Sequence, residues 1–219
     1  MSAYLRRVSI RVECRKLTAM SLRDRKRART RQALVEAATD LFQRKGYDET
    51  TIADIAAAAE IGTRTFFSYF ATKEELLFPE SDARVAATLD AIANKAPDEG
   101  PIAVLLRALT TASEASDDMV SPLAALRTRL IGTVPSVRGR ALQMQLDAQR
   151  EIAGHLAEAF PEQLDEVSAA ALTGAFVGAL TGALQVLLDG VEHADPKAMK
   201  TALQAAADVA LAPWREYLS

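Results

Sequence analysis

From Val167 to Leu188 the chain runs for 22 residues without a charged side chain, and this stretch limits the fold more tightly than any other. A run of that length reads as one helix, and a helix with no solvated face needs cover on more than one side. Roughly 20 apolar residues also suffice to cross a bilayer. The composition argues against a span, because much of the run is Ala, Gly, Ser, Thr and Gln. Its flanks, Asp165, Glu166, Asp189 and Glu192, are acidic where a cytoplasmic membrane boundary favours Lys and Arg. Gly174, Gly178 and Gly182 recur at every fourth position and form a smooth stripe that lets two helices approach closely. The expected cover is the chain's own domain on one side and a second copy of the chain on the other. Val177, Thr181 and Gln185 in the same run, and Trp214 on the last helix, complete the expected dimer face.

The remaining sequence carries the same helical period. Between Arg25 and Lys45 the apolar residues Leu34, Ala38, Leu41 and Phe42 share one face, and Gly46 follows where a helix-ending glycine belongs. Thr51, three residues before Asp54, is an N-cap pair that opens a short helix with Ile52, Ile55, Ala56 and Ala59 inward. After a turn at 60–62, a second short helix covers 63–70, with Phe66 and Phe70 on one face. Thr72 and Glu75 repeat the capping pattern and predict one helix from there through Ile92. Beyond Pro97 and Pro101, five more helices are expected at about 102–115, 121–133, 136–160, 165–190 and 196–218. Pro122, Pro135, Pro161 and Pro196 fall at their breaks, and Pro213 is expected to kink or end the last one. No segment alternates with a two-residue period, so the fold class is all-α.

Chemistry-bearing clusters are missing. A single cysteine, Cys14, makes no internal disulfide, and two histidines, His155 and His193, supply no zinc cage. There is no phosphate-binding glycine loop and no Ser or Cys with a matched His and acid. The expectation is a cytoplasmic protein with no metal, no cofactor and no enzymatic activity.

Charge is unevenly spread. The whole chain has a formal net charge of −3, yet residues 1–31 hold eleven Lys and Arg against two acids. Residues 79–219 hold eleven bases against nineteen acids. A basic front on an acidic body points to a polyanion contact at one end. Residues 1–22 are expected to be a disordered basic extension, with Met20 an alternative start. Residues 23–71 form a three-helix head containing a helix-turn-helix, and residues 72–219 form a larger helical domain. In the head, the helix at 63–70 exposes Thr63, Arg64, Thr65, Phe67, Ser68 and Tyr69 around Phe66 and Phe70. Such a helix fits the major groove of double-stranded DNA. Arg64 suits guanine O6 and N7, and Phe67 suits a thymine methyl. Thr51, Tyr69 and Lys73 are expected on phosphates, with Arg29 of the basic run beside them.

Residues 26–77, and most tightly GYDETTIADIAAAAEIGTRTFFSYFATKEELL, resemble the DNA-binding head of the TetR family of bacterial regulators. The matching positions are Thr51, Ile55, Ala56, Thr65–Phe66–Phe67, Tyr69–Phe70 and Lys73–Glu74. Two positions depart from the family pattern: Glu60 stands where glycine is usual, and Gly62 where serine is usual. The run RTFFSYFATKEELLFPESDAR further resembles the mycofactocin-type branch, which responds to acyl-CoA. The resemblance implies a dimeric repressor that binds an inverted-repeat operator and is released when a small molecule enters its C-terminal domain. An acyl-CoA or another apolar anionic ligand would then meet Met119, Leu123, Leu126, Arg127, Leu130, Met144, Arg150 and His155. A different reading of the same sequence is a helical protein-interaction module whose head has lost DNA binding, with Glu60 as its support.

Overall fold

A computed structural model describes residues 21–115, 121–188 and 195–218. The basic extension up to Met20, and with it Cys14, lies outside the described residues, as do Met119 and His193. The chain divides between Leu76 and Leu77 into two compact units, here called the head and the body; the sequence had placed the boundary after residue 71.

In the head, α1 (Leu22–Arg44) leads to α2 (Ile52–Ala58) and α3 (Thr63–Phe66). Ser21 caps α1 through a capping box with Asp24, and Thr51 caps α2 through the same device with Asp54. Each box satisfies two backbone donors that a helix start leaves open. Leu34, Val35, Ala38 and Phe42 of α1 are buried, as are Ile55 and Ala56 of α2 and Phe66 and Phe70 around α3. Phe42 packs on Tyr47 with ring centroids 5.0 Å apart, and Phe66 on Phe70 at 6.0 Å.

The turn from α2 into α3 is built on Glu60. The Ile61 amide donates to the Ala56 carbonyl at 2.9 Å and the Glu60 amide to the Ala57 carbonyl at 3.1 Å. This is the Schellman closure, and it places Glu60 at φ 56°, the left-handed conformation that favours glycine. Gly62 then caps α3 without any side-chain hydrogen bond.

One expected helix is two elements. A 3₁₀ turn at Glu74–Leu77 precedes α4 (Ser81–Ala93), because Pro79 drives the preceding Phe78 away from helical geometry. The expected Thr72 cap is absent from that turn; the Ala71 amide donates instead to Glu75 Oε2 at 2.8 Å. The body continues with α5 (Pro101–Ala115), α6 (Pro122–Thr133), α7 (Pro135–Ala159), α8 (Glu166–Leu188) and α9 (Pro196–Tyr217). Pro213 lies inside α9, which continues to Tyr217, so the last helix does not end there. Among the described residues there is no strand.

The body's core joins α4, α5, α7, α8 and α9 through Ile92, Leu105, Leu156, Leu172, Phe176 and Leu211. A smaller cluster ties Ala124 of α6 to Leu188 of α8 and to Met199 and Leu203 of α9. By length and mean hydropathy, 1.7, α8 could cross a bilayer, yet Ala169, Leu172 and Phe176 anchor it in the body core. Its own unit covers it on one side only: Val167 and Val186 are each 77% exposed.

Two outcomes follow from the head's turns. Glu60→Gly removes the left-handed penalty and should stabilise the head by about 1 kcal/mol, read as a raised urea midpoint. The Asp54 carboxylate accepts from Lys45 Nζ at 2.8 Å and from the Thr51 amide at 3.0 Å. These bonds, the Lys45 one foremost, hold its pKa at about 2, below the ordinary 3.8. A depressed carboxylate pKa stabilises the fold above the ordinary value, and the benefit is lost as pH falls through the folded one. Acid titration of head stability should therefore show a loss between pH 3.8 and about 2 that is missing from Asp54→Asn.

Candidate nucleic-acid interface and body cavity

α3 is a four-residue helix, too short to persist by itself. Phe66 is wholly buried beneath it and Phe70 is 2% exposed, and these two rings hold the segment against the head. The opposite side is open: Thr63, Arg64, Thr65, Phe67 and Ser68 are all exposed. Arg64 makes no hydrogen bond or ion pair among the described residues, so its five donors are available. Thr51 is also exposed; its hydroxyl oxygen accepts from the Asp54 amide at 3.1 Å, and its side chain also bonds to the Asp54 carboxylate.

The far end of the segment is held by α1. The Arg27 guanidinium lies over the Tyr69 ring at 5.2 Å, and its Nη2 donates to the Ser68 carbonyl at 3.3 Å. Arg31 lies over the Phe70 ring at 4.7 Å. Tyr69 is thus half-buried under an arginine rather than fully displayed. The sequence reading assigned Arg27 and Arg31 no role. The available signal was their spacing of four on the face of α1 that also carries Leu34 and Val35, with two aromatic rings at Tyr69 and Phe70 to receive them. Arg23, Arg25, Lys26 and Arg29 remain exposed along α1.

Lys73 reaches back into the head. Its ammonium donates to the Tyr47 carbonyl at 2.9 Å and the Thr50 carbonyl at 3.2 Å. It also sits 4.1 Å from the centroid of the Tyr47 ring. Two of its three N–H groups are spent inside the head. The physical reason is the loop at 45–50, which turns two carbonyls inward: the Thr50 amide also donates to that of Tyr47, at 3.3 Å, and the Thr50 carbonyl receives Lys73.

The body holds a cavity of about 590 Å³. Phe78, the start and middle of α4, and facing positions of α5, α7 and α8 line it. Its wall is largely apolar, through Leu89, Leu109, Ile152, Phe176 and Leu180, while Arg84, Arg140, Asp82, Asp147 and Glu151 bring charge to it. Of the ligand residues expected from the sequence, Met144 lines this space. Leu123, Leu126 and Leu130 are buried in the body but do not line it. Arg127 is buried and turned elsewhere: Nη1 donates to the Leu77 carbonyl at 3.0 Å and the guanidinium lies 5.9 Å from the Phe78 ring centroid. Arg150 and His155 are exposed on α7 and do not line the cavity.

Two expected dimer residues, Val177 and Thr181, face the cavity, and Trp214 packs against the body core. Gly174, Gly178 and Gly182 have open space where a Cβ would be, and Gln185 is exposed. The cavity wall could have been anticipated in part, because Val177, Leu180, Thr181 and Leu184 recur at helical spacing on α8. Its α4 side was hidden by the unrecognised break at Pro79. Among the described residues, no group of three or more His, Cys, Asp or Glu is placed to hold a metal.

Comparison with known proteins bears on both units. Residues 34–78 match the family described as bacterial regulatory proteins, tetR family. Residues 99–211 match the MftR C-terminal domain. The HTH-type transcriptional regulator TcmR of Streptomyces glaucescens is 42% identical over 81 residues, 37% of this chain and 36% of that protein. The HTH-type transcriptional repressor Rv3405c of Mycobacterium tuberculosis is 36% identical over 81 residues, 35% of this chain and 39% of that protein. These alignments span little more than a third of either relative's length. A crystal structure from Syntrophomonas wolfei, assigned to the TetR family of transcriptional regulators, superposes with a TM-score of 0.58 at 20% identity, over 84% of this chain and 96% of that one; this likeness is one of fold. With its front matched to one family description and more than half of its length to the other, the chain belongs to the TetR family of bacterial transcriptional regulators and carries a C-terminal domain of the MftR type.

Proposed function

We propose that the protein is a dimeric repressor that binds an inverted-repeat operator in double-stranded DNA and leaves it when a small molecule enters the body. The observation that carries this reading is the exposed surface of Thr63, Arg64, Thr65, Phe67 and Ser68 on its buried Phe66 and Phe70 foundation. A short element displayed in this way inserts into the major groove, where Arg64 reads guanine and Phe67 meets a thymine methyl. Thr51 and Arg29 contact phosphates and set register. The repressor name of one relative supports repression over activation.

The outer face of α8 supports a dimer. A Cβ at Gly174, Gly178 or Gly182 would meet open space, and Gln185 and Val186 beside them are exposed. A second copy laid along this face gives that surface the cover one chain leaves off. Two heads then read half-sites ~34 Å apart or a multiple of it.

The cavity supports a small-molecule effector, since about 590 Å³ falls in the range of roughly 300–1,000 Å³ typical of such sites. Its apolar wall suits an aliphatic chain, and Arg84 and Arg140 suit an anionic end. An acyl-CoA has both features.

Fluorescence anisotropy on duplexes from beside the coding region tests the operator reading, with unrelated duplex as control. Tight binding to one duplex containing an inverted repeat, at two or four chains per site, is the expected result. Arg64→Ala should cost about 1–3 kcal/mol on that duplex and relax one base position; an equal loss on random DNA would remove Arg64 as a base reader. Palmitoyl-CoA at micromolar concentration should lower operator affinity, and Phe176→Trp, which narrows the cavity, should blunt that response. Titration of the wild type with no change in affinity would remove the acyl-CoA assignment.

A further inference from the structure

The head has two ends to secure. The turn at Ala59–Gly62 fixes where α3 begins relative to α2. Nothing in that turn fixes where the recognition segment leaves. Lys73 lies just beyond its end at Phe70, and its ammonium reaches back to the carbonyls of Tyr47 and Thr50 at 2.9 and 3.2 Å. Thr50 immediately precedes Thr51, the residue that caps α2. One cation therefore joins the exit of the recognition segment to the entrance of the helix before it.

We infer that Lys73 is a positioning residue for operator recognition rather than a contact to a DNA phosphate. This rests on the DNA-binding reading above and assigns Lys73 a place within it. Three observations carry it. Tyr47 and Thr50 are 5% and 1% exposed, so water is poorly placed to replace the ammonium as a donor to that loop. The Thr50 hydroxyl is committed to the Gly46 carbonyl at 2.6 Å, so it gives the Thr50 carbonyl no donor. The Tyr47 ring, 4.1 Å from Nζ, adds a face that attracts the cation and is itself packed on Phe42. Turning the ammonium outward to a phosphate would leave a buried carbonyl without its donor and abandon that face.

The two roles differ in their salt dependence. Each neutralised phosphate releases counterions and adds about 0.9 to the slope of log affinity against log salt. A clamp releases none. Its loss lets the recognition segment drift, which harms base contacts that must all be made together, whereas binding to random DNA depends on charge.

The experiment compares the wild type, Lys73→Met and Lys73→Arg as full chains, by anisotropy over a salt series on operator and on random duplex. Lys73→Met should lower operator affinity by roughly five- to a hundredfold, the scale of one or two lost base contacts. Its affinity for random duplex should stay within about twofold and its salt slope should match the wild type. Lys73→Arg, which still donates to both carbonyls, should recover most of the operator affinity. Equal losses on both duplexes, with a slope smaller by about 1.8 for a two-headed complex, would show phosphate contact and overturn the assignment.

A second measurement needs neither variant nor DNA. Reductive methylation of the free wild-type protein with formaldehyde and cyanoborohydride, read by mass spectrometry, should modify Lys73 at least about tenfold more slowly than exposed Lys26. Equal rates would mean the clamp does not form in solution. If the wild type prefers no sequence, the operator reading falls by itself. Methylation rates and the salt slope on random duplex still decide between clamp and phosphate contact.

Discussion

The reading surface depends on the burial of Phe66 and Phe70. A helix of four residues has one closed turn and almost none of the propagation that sustains longer helices. Its geometry is therefore borrowed from the rings beneath it. Burying two phenyl groups contributes about 1.5–3 kcal/mol each, more than the intrinsic helix preferences of Thr, Arg and Thr could supply. The exposed side is thereby released from any structural duty, and Thr63, Arg64, Thr65 and Phe67 are free to be chosen by a binding partner.

Polar locks around this foundation divide the remaining work. Capping boxes at Ser21 and Thr51 settle where α1 and α2 begin. The Glu60 turn settles the passage into α3, at the cost of a left-handed residue that has a side chain. Arg27 and Arg31 cover the rings at the end of the segment. Arg27, Arg31 and Lys73 thus also serve the head's construction, while Arg23, Arg25, Lys26, Arg29 and Arg64 are displayed.

Local signals were legible in the sequence, and long-range ones were not. Thr51–Asp54, Gly46 and the prolines before α6, α7 and α9 act within a few residues of themselves, so spacing exposed them. The all-helical class followed from the helical periodicity of the apolar residues. Pro79 was passed over because Thr72 and Glu75 formed a plausible cap upstream. Pro213 does not end α9, because one missing N–H close to a helix end is tolerated. The bonds of Lys73 and Arg127 were hidden for a shared reason: their partners are backbone carbonyls, which no side-chain pattern marks. His155 and Arg150 were chosen for their chemistry, but the face of α7 they occupy is solvated. The cavity side of that helix carries Arg140, Met144 and Ile152 instead.

The uncharged composition of α8 has two separate causes. Successive residues of a helix lie about 100° apart. Val177 and Thr181, which line the cavity, therefore flank the stripe of Gly178 and Gly182, which is open. The inward arc, Ala169, Leu172 and Phe176, is apolar because it belongs to the core. The adjoining arc is uncharged and borders the cavity, and the glycine arc is smooth and open. A helix shared in this way moves as a unit, since its backbone hydrogen bonds resist bending between adjacent turns. A molecule pressing on Val177 and Thr181 would displace the glycine stripe with them, and two copies joined along that stripe would feel the shift together. The charge-free length that first constrained the fold is thus one helix carrying a core arc, a cavity arc and an open glycine arc.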